Sequence, residues 1–279
     1  MSAISSAGDA AAPSAASRRG PPALLKWLLP LAFLVVVLGA WEYCVAAGLT
    51  PMKVVPAPSE IWAAFFREWE TLGPAWLFTL EVTLKGFVLA VVGGVCLAIL
   101  FSLSRLVEYT LYPYAIILQV TPVLALAPLL LVIFSQATVL LICVWLVAFF
   151  PVLANTLIGL RSTDHNLLNL FELYRASSWQ KLWLLRLRGA LPYFLGGVRI
   201  AGGLSLIGAV VSELATGAGG ARGGLGYIIY LAPRYFAYPR AYAALVLLSL
   251  SGIVIFLALS YLSHLLLHKW HESALKREN

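Results

Sequence analysis

Apolar residues gather into six runs long enough to cross a membrane: Leu28 to Ala47, Val82 to Leu103, Tyr114 to Phe134, Thr138 to Leu157, Tyr193 to Leu214 and Tyr242 to Leu267. A helix needs about 20 mostly apolar residues to span the hydrocarbon core, because every backbone polar group must be satisfied within the segment there. The third and fourth runs are nearly continuous, parted only by Ser135, Gln136 and Ala137. Between the fourth and fifth runs the pattern changes. Leu160 to Pro192 is basic, and its apolar residues recur at helical spacing without filling whole turns. Thr163 or Asp164 is placed to cap a short helix with Leu167, Leu168, Phe171 and Tyr174 at i, i+1, i+4 and i+7. A second helix is expected directly after it. Ser177 and Gln180 have the spacing of a capping box, Trp179, Leu182 and Trp183 lead its apolar side, and Lys181, Arg186 and Arg188 supply charge. The pair is amphipathic and lies outside the membrane, so the apolar face of the first helix needs a lid or a partner.

Two further stretches depart from the spanning pattern. From Pro58 to Trp69, Ile61, Trp62, Phe65, Phe66 and Trp69 share one helical face, while Glu60, Arg67, Glu68 and Glu70 cover the other, with Ser59 as the expected N-cap. Such a helix lies flat at a membrane interface, either as an aromatic anchor or as a contact for an external partner. In the third run, Pro122 and Pro128 interrupt backbone bonding at membrane depth, where freed carbonyls must be met by neighbouring protein or a wet cavity. Gln119 and Thr121 are the polar groups available there, for a pathway wall or for a bond between helices. Gly86, Gly93 and Gly94 make the second run suited to close helix contact, and Glu81 with Lys85 forms a favourable i, i+4 pair at its start.

Composition agrees with an integral membrane protein. Hydrophobic residues are 61% of 279 and charged ones 11%, with mean hydropathy +0.91. Cationic residues fix the expected orientation. With both termini cytoplasmic, the inner flank carries Arg18, Arg19, Lys26, Arg105, Arg161, Arg175, Lys181, Arg186, Arg188, Arg199, Lys269, Lys276 and Arg277, and the outer flank only Lys53, Arg67, Arg222, Arg234 and Arg240. The net charge of +7 is thus spread along loops beside spans, which argues for anionic headgroups and against nucleic acid as its counterpart. The Ala, Ser, Pro and Gly-rich residues 1 to 20 read as a disordered cytosolic tail. Val45-Ala46-Ala47 resembles a signal-peptide cleavage site, but the preceding run is longer than the usual 7 to 15 residues, so the first helix is expected to be retained. Cys44, Cys96 and Cys143 fall singly in three different runs, without metal-like or redox-like spacing.

Chemistry-bearing residues are sparse. Ser205, Ser212 and Glu213 on the fifth run are candidate polar groups of a pathway, because an acid near a membrane end faces protein or water. His264, His268 and His271 follow i, i+4, i+7, but no carboxylate or cysteine completes a metal site within the motif, so none is assigned. The glycine-rich stretch from Thr216 to Gly226 has no strand before it and reads as an external loop rather than a nucleotide site. No phosphate-binding loop of the form Gly-x-x-x-x-Gly-Lys-Ser/Thr is present, so any ATP must sit on another polypeptide.

Several ordered stretches resemble one family: Pro56 to Phe65, Ala125-Leu126-Ala127-Pro128-Leu129, Phe149 to Asp164, Ala176-Ser177-Ser178-Trp179-Gln180 through Leu191-Pro192, Gly197-Val198-Arg199-Ile200-Ala201, Ile207 to Glu213, and Gly223-Gly224-Leu225-Gly226-Tyr227. They resemble the permease subunits of ATP-binding-cassette importers, in the branch for nitrate, sulfonates, taurine and pyrimidine vitamin precursors, over about residues 50 to 270. In that family a cytosolic Glu-Ala-Ala, three residues, then Gly forms a coupling helix seated in a groove of the ATPase. Aligning on Ala176 to Gln180 puts Asn169, Leu170 and Phe171 at Glu-Ala-Ala and Arg175 at Gly, so this chain departs at each signature position. Arg188 likewise stands at the proline of a first Leu-Pro. A register using Glu172 as the acid puts Ser178 at the Gly position and loses the Trp-Gln match.

The resemblance implies an all-α polytopic membrane protein with six transmembrane helices and a methionine-importer-like permease fold. Its expected organisation is a tail over 1–20, the first transmembrane helix and linker over 21–55, a periplasmic interfacial helix over 56–72, the permease domain over 73–270 and a cytosolic tail over 271–279. The coupling loop is 160–192, with Leu167, Leu168, Asn169, Leu170, Phe171, Glu172, Tyr174, Arg175, Ala176, Ser177, Ser178, Trp179 and Gln180 as coupling residues, and Leu170 and Phe171 as the proposed contact. Implied partners are a second copy, two cytosolic ATPase subunits carrying ATP and Mg, and a periplasmic or extracellular solute-binding protein at a bacterial inner membrane. The wording Leu-Tyr-Arg-Ala-Ser resembles the pyrimidine or flavin precursor group. The rival class is an ion-coupled secondary transporter, which calls for paired buried carboxylates or inverted repeats, whereas only Glu42, Glu81 and Glu213 lie in or at the spans.

Overall fold

A computed structural model describes residues 23–49, 54–217 and 223–268. The expected tails, His271 and the centre of the glycine-rich loop lie outside them. All regular elements among the described residues are helical. The chain divides into two units at residue 50, and α1 (Ala23–Ala46) belongs to the first. From Leu28 to Ala40 it is apolar on all sides with exposed side chains, as suits a helix bathed in lipid.

In the second unit, α2 (Pro58–Arg67) leads into α3 (Trp69–Leu103), which is 35 residues long and starts well before the expected Val82. The acids and tryptophans that disguise its first turns in the sequence are those of an interfacial helix end. α2 begins one residue earlier than its predicted cap. Ala57, not Ser59, holds the N-cap position, and its amide donates to the Glu60 carboxylate at 3.2 Å. Ile61 and Ala64 are the buried side of α2, while Trp62 and Phe66 are exposed and stack edge to face. Glu68 pairs with Arg240, tying this corner to the start of the last helix.

The third predicted span is not one helix. α4 (Arg105–Val120) and α5 (Val123–Leu130) meet at a bend of 96°. The cause is local: the residue before a proline is driven from the helical region, and Thr121 and Pro122 take ψ of 125° and 107°. Pro128 stays within α5. Ser135 then caps α6 (Gln136–Arg161), accepting from the Thr138 amide. After α7 (His165–Leu173), α8 (Ser178–Lys181) runs through a π-helical turn, Leu182–Arg186, into α9 (Leu187–Thr216). The second loop helix and the fifth span are therefore one element of 39 residues. α10 (Leu225–Leu231), a 3-10 turn and α11 (Tyr238–Leu267) complete the unit. Among the described residues, five helices have the length and apolarity to cross a membrane, and the α4–α5 pair is a sixth only if a broken span is counted.

α6 is the central helix, packed between α3 and α9. The contacts are close enough to exclude side chains. A Cβ at Gly86 would fall 2.4 Å from Val144 Cγ1, one at Gly94 2.9 Å from Val152 Cβ, and one at Gly197 2.8 Å from the Pro151 carbonyl. The expected close-packing role of Gly86 and Gly94 is thus met against α6, and Gly93 faces Trp145 on the same helix. Gly86→Val should destabilise the detergent-purified protein by about 1–3 kcal/mol, read as a fall in thermal midpoint. Gly196→Ala, with no atom within 4 Å of its Cβ, should leave the midpoint unchanged or slightly raised.

Candidate functional site

Two ends of the bundle carry the polar geometry. At one end α6 stops and α7 projects from the spanning helices. Of the two caps open to it, α7 uses Asp164, whose Oδ1 accepts from the Asn166 amide at 2.7 Å. The capping box after it forms as expected: Ser177 Oγ accepts from Gln180 N at 3.2 Å, and the Ser177 amide donates to Gln180 Oε1 at 2.8 Å. Lys181 and Glu172 pair at 3.0 Å, joining the two helices across the turn.

The turn has a specific backbone cost. The Ala176 amide donates to Phe171 O and the Arg175 amide to Glu172 O, both at 2.9 Å, the paired bonds of a Schellman motif. This closure needs a left-handed residue, and Arg175 takes φ +53°. A β-carbon in that region costs about 1–2 kcal/mol relative to glycine.

On α7 the expected apolar face is divided. Leu168 and Phe171 are half-buried toward the bundle, whereas Leu167 and Leu170 are exposed and Leu173 and Tyr174 still more so, at 82% and 79%. Asn169, Glu172, Arg175 and Ser178 are exposed, Ala176 is half-buried, and Trp179 stacks edge to face on Trp183 at 6.2 Å. α7 therefore presents a row of leucines outward, on a helix held at both its ends.

At the opposite end, α9 finishes against α10. Glu213 is wholly buried, and its Oε2 accepts from the Gly226 amide at 2.8 Å. Thr79 of α3, also fully buried, accepts from the Leu225 amide at 2.9 Å. The first amides of α10 thus find side-chain acceptors on two different helices. The fit leaves no room for Cβ atoms, since one at Gly224 would lie 2.3 Å from the Glu213 carboxylate.

The other predicted pathway groups are dispersed. Ser205 and Ser212 are buried and donate to Gly202 O and Ala209 O of their own helix, each at 2.8 Å. Gln119 is exposed near the α4–α5 bend, and Thr121 donates to Ile117 O at 2.8 Å. α5 packs through Ala127 onto Val139 and Cys143 of α6 and onto Ala215, three residues beyond Ser212. His264 and His268 stack with ring centres 6.0 Å apart.

Residues that sequence reasoning passed over are those whose partners are remote. Thr79 is 146 positions from Leu225, Glu108 pairs with Arg161 across 53, and Arg186 reaches Ser102 across 84. A local pattern carries no trace of such pairs. The orphan amides of α10 were the one available signal, because a buried helix start demands acceptors from elsewhere.

Comparison with known proteins adds the following. Residues 90–275 match the model of the binding-protein-dependent transport system inner membrane component. The chain is 32% identical over 242 residues to a probable ABC transporter permease protein of Haemophilus influenzae, covering 86% of this chain and 97% of the relative. It is 34% identical to the formylaminopyrimidine transport permease protein ThiX of Halalkalibacterium halodurans, covering 86% and 95%, and 32% identical to the riboflavin transport system permease protein RibX of Chloroflexus aurantiacus, covering 86% and 89%.

Two outcomes follow from the geometry. Arg175→Gly should raise stability by up to about 1 kcal/mol, read by thermal unfolding, because it relieves the left-handed strain. Glu213→Leu should speed hydrogen exchange of the 223–231 amides at least tenfold, reflecting about 1–3 kcal/mol for an orphaned buried amide, while Glu213→Gln, which keeps an acceptor, should change it far less.

Proposed function

The chain belongs to the family of inner membrane components of binding-protein-dependent transport systems, and from that premise we propose that α7 is the surface through which ATPase motion enters the membrane helices. The protein is a multi-pass permease subunit of an ATP-binding-cassette importer, a transport subunit rather than an enzyme. Membership of this family implies ATPase and binding-protein partners.

One observation supports α7 as the contact: it is an amphipathic helix outside the bundle whose leucine row, Leu167, Leu170 and Leu173, is exposed. An exposed apolar row beside charged residues marks a protein interface. Phe171 and Leu168 are half-buried, so the contact is placed on Leu170 rather than on Leu170 and Phe171 together. α7 is joined directly to α6 on one side and, through α8, to α9 on the other. A push on α7 is thereby delivered to the two helices that pack most closely on each other.

The α7 end faces the cytosol of a bacterium and the α10 end faces outward, in keeping with the bias of cationic residues. A second copy completes the pathway, with Gln119 and Thr121 at the α4–α5 bend and Ser205, Ser212 and Glu213 of α9 as its polar residues. ATP and Mg are bound by two separate ATPase subunits, and an external solute-binding protein delivers the cargo. That cargo is a small polar or anionic solute. The relatives named for formylaminopyrimidine and riboflavin favour a heterocyclic vitamin precursor over a sulfonate, taurine or nitrate.

Leu170→Asp should abolish co-purification of the ATPase subunits and reduce uptake at least tenfold, while leaving membrane insertion and thermal midpoint intact. Undiminished co-purification would sink the assignment. Uptake into vesicles should stop on ATP depletion and survive a protonophore, and thermal shift of the co-purifying binding protein against riboflavin, formylaminopyrimidine, taurine and nitrate identifies the cargo.

A further inference from the structure

At the end of the bundle from which α7 emerges, a polar cleft of about 610 Å³ opens between the α3–α4 turn, the end of α6 and the start of α7. Arg105, Arg161, Arg186 and His165 line it, against one carboxylate, Glu108. Glu108 is engaged by Arg161. Arg186 Nη1 donates to Ser102 O at 3.3 Å and to Ser102 Oγ at 3.2 Å, closing the last turn of α3. Donors remain after these bonds are counted. Arg186 Nε and Thr163 Oγ1, both from residues on the cleft wall, are buried without a hydrogen-bond partner among the described residues. Arg105 is exposed, and none of the ion pairs among the described residues includes it.

Both atoms are closed off from solvent, so an occupant of the cleft meets instead the exposed side chains of Arg105, Arg161 and His165. The excess of guanidinium over carboxylate makes that occupant anionic. We propose that this cleft binds a phosphate group, either the headgroup of an anionic phospholipid or soluble inorganic phosphate. Guanidinium forks match phosphate oxygens in pairs. Basic pockets between helix ends at a membrane face are where acidic headgroups lodge. Phe101 and Leu160, nearly fully buried, give the cleft an apolar floor continuous with the helix core. His165 and Leu168 of α7 form its outer wall, so an occupant braces the start of α7 from behind, opposite its exposed leucine row. That consequence rests on the reading of α7 as the transmission element; the binding itself does not.

The test uses the full-length protein, delipidated in nonionic detergent, with thermal unfolding followed in the presence of dioctanoyl phosphatidylglycerol, dioctanoyl phosphatidylcholine or inorganic phosphate. Saturating phosphatidylglycerol should raise the midpoint by about 4 °C, and phosphatidylcholine should not. An equal rise with inorganic phosphate identifies the soluble source and equally supports the site. Arg105→Gln, at an exposed residue outside the ion pairs, keeps the fold and should weaken binding about tenfold, the loss of one charge-assisted bond. No rise with either phosphate source, an equal rise with phosphatidylcholine, or a rise untouched by Arg105→Gln overturns the proposal. So does stabilisation that appears only on adding the ATPase subunits, which would assign the cleft to a partner's acidic side chain. Because the lipid and phosphate arms contain no ATPase, failure of the coupling assignment leaves their result standing.

Discussion

Helices surrounded by lipid gain little from burying apolar surface against one another, since the lipid tails are as apolar as the partner. What holds α3, α6 and α9 together is the distance at which their backbones meet. Gly86 and Gly94 let α3 lie against Val144 and Val152, and Gly197 and Gly208 let α9 lie against Pro151 and Val144. Dispersion at these separations is gained over whole helix lengths, and it is lost if one helix is pushed out by a single side chain. Everything with a functional bearing is attached to this three-helix contact.

At one end, α6 and α9 are joined through a short connector, α7 and the turn at Arg175. Asp164, the Ser177–Gln180 box and the Lys181–Glu172 pair fix that connector at its boundaries, and its middle is left exposed. A left-handed arginine where the resembled family carries glycine means that the turn is retained at an energetic cost. At the other end, Glu213 and Thr79 anchor α10 by its first amides, so an acid in a membrane helix serves here as a backbone acceptor.

The spanning runs, the amphipathic loop and its capping box were legible from residue order, because lipid length, helical period and cap chemistry are local. The Pro122 break was legible as a disruption but not as a 96° elbow, since the proline forbids one conformation without selecting the direction of the next. The start of α3 was misplaced by more than three turns because Glu70 reads as part of a separate interfacial helix and Glu81 as the charged edge of a span, whereas one helix runs through both from Trp69. Within α7, spacing grouped Leu167, Leu168, Phe171 and Tyr174 on one face. Only the tertiary structure separates Leu168 and Phe171, half-buried, from Leu167 and Leu170, exposed.

The sequence by itself determined that this is an all-helical membrane protein, that a loop helix starts at Thr163 or Asp164, and that the glycines of the second run allow close contact. Tertiary structure decided which side of α7 is free, which carbonyls and amides Glu213, Thr79 and Arg186 satisfy, and that Arg105, Arg161 and Arg186 converge on one cleft. The division follows from range: propensity, capping and hydropathy act within a few residues, whereas a buried donor's partner is set by how distant helices happen to meet.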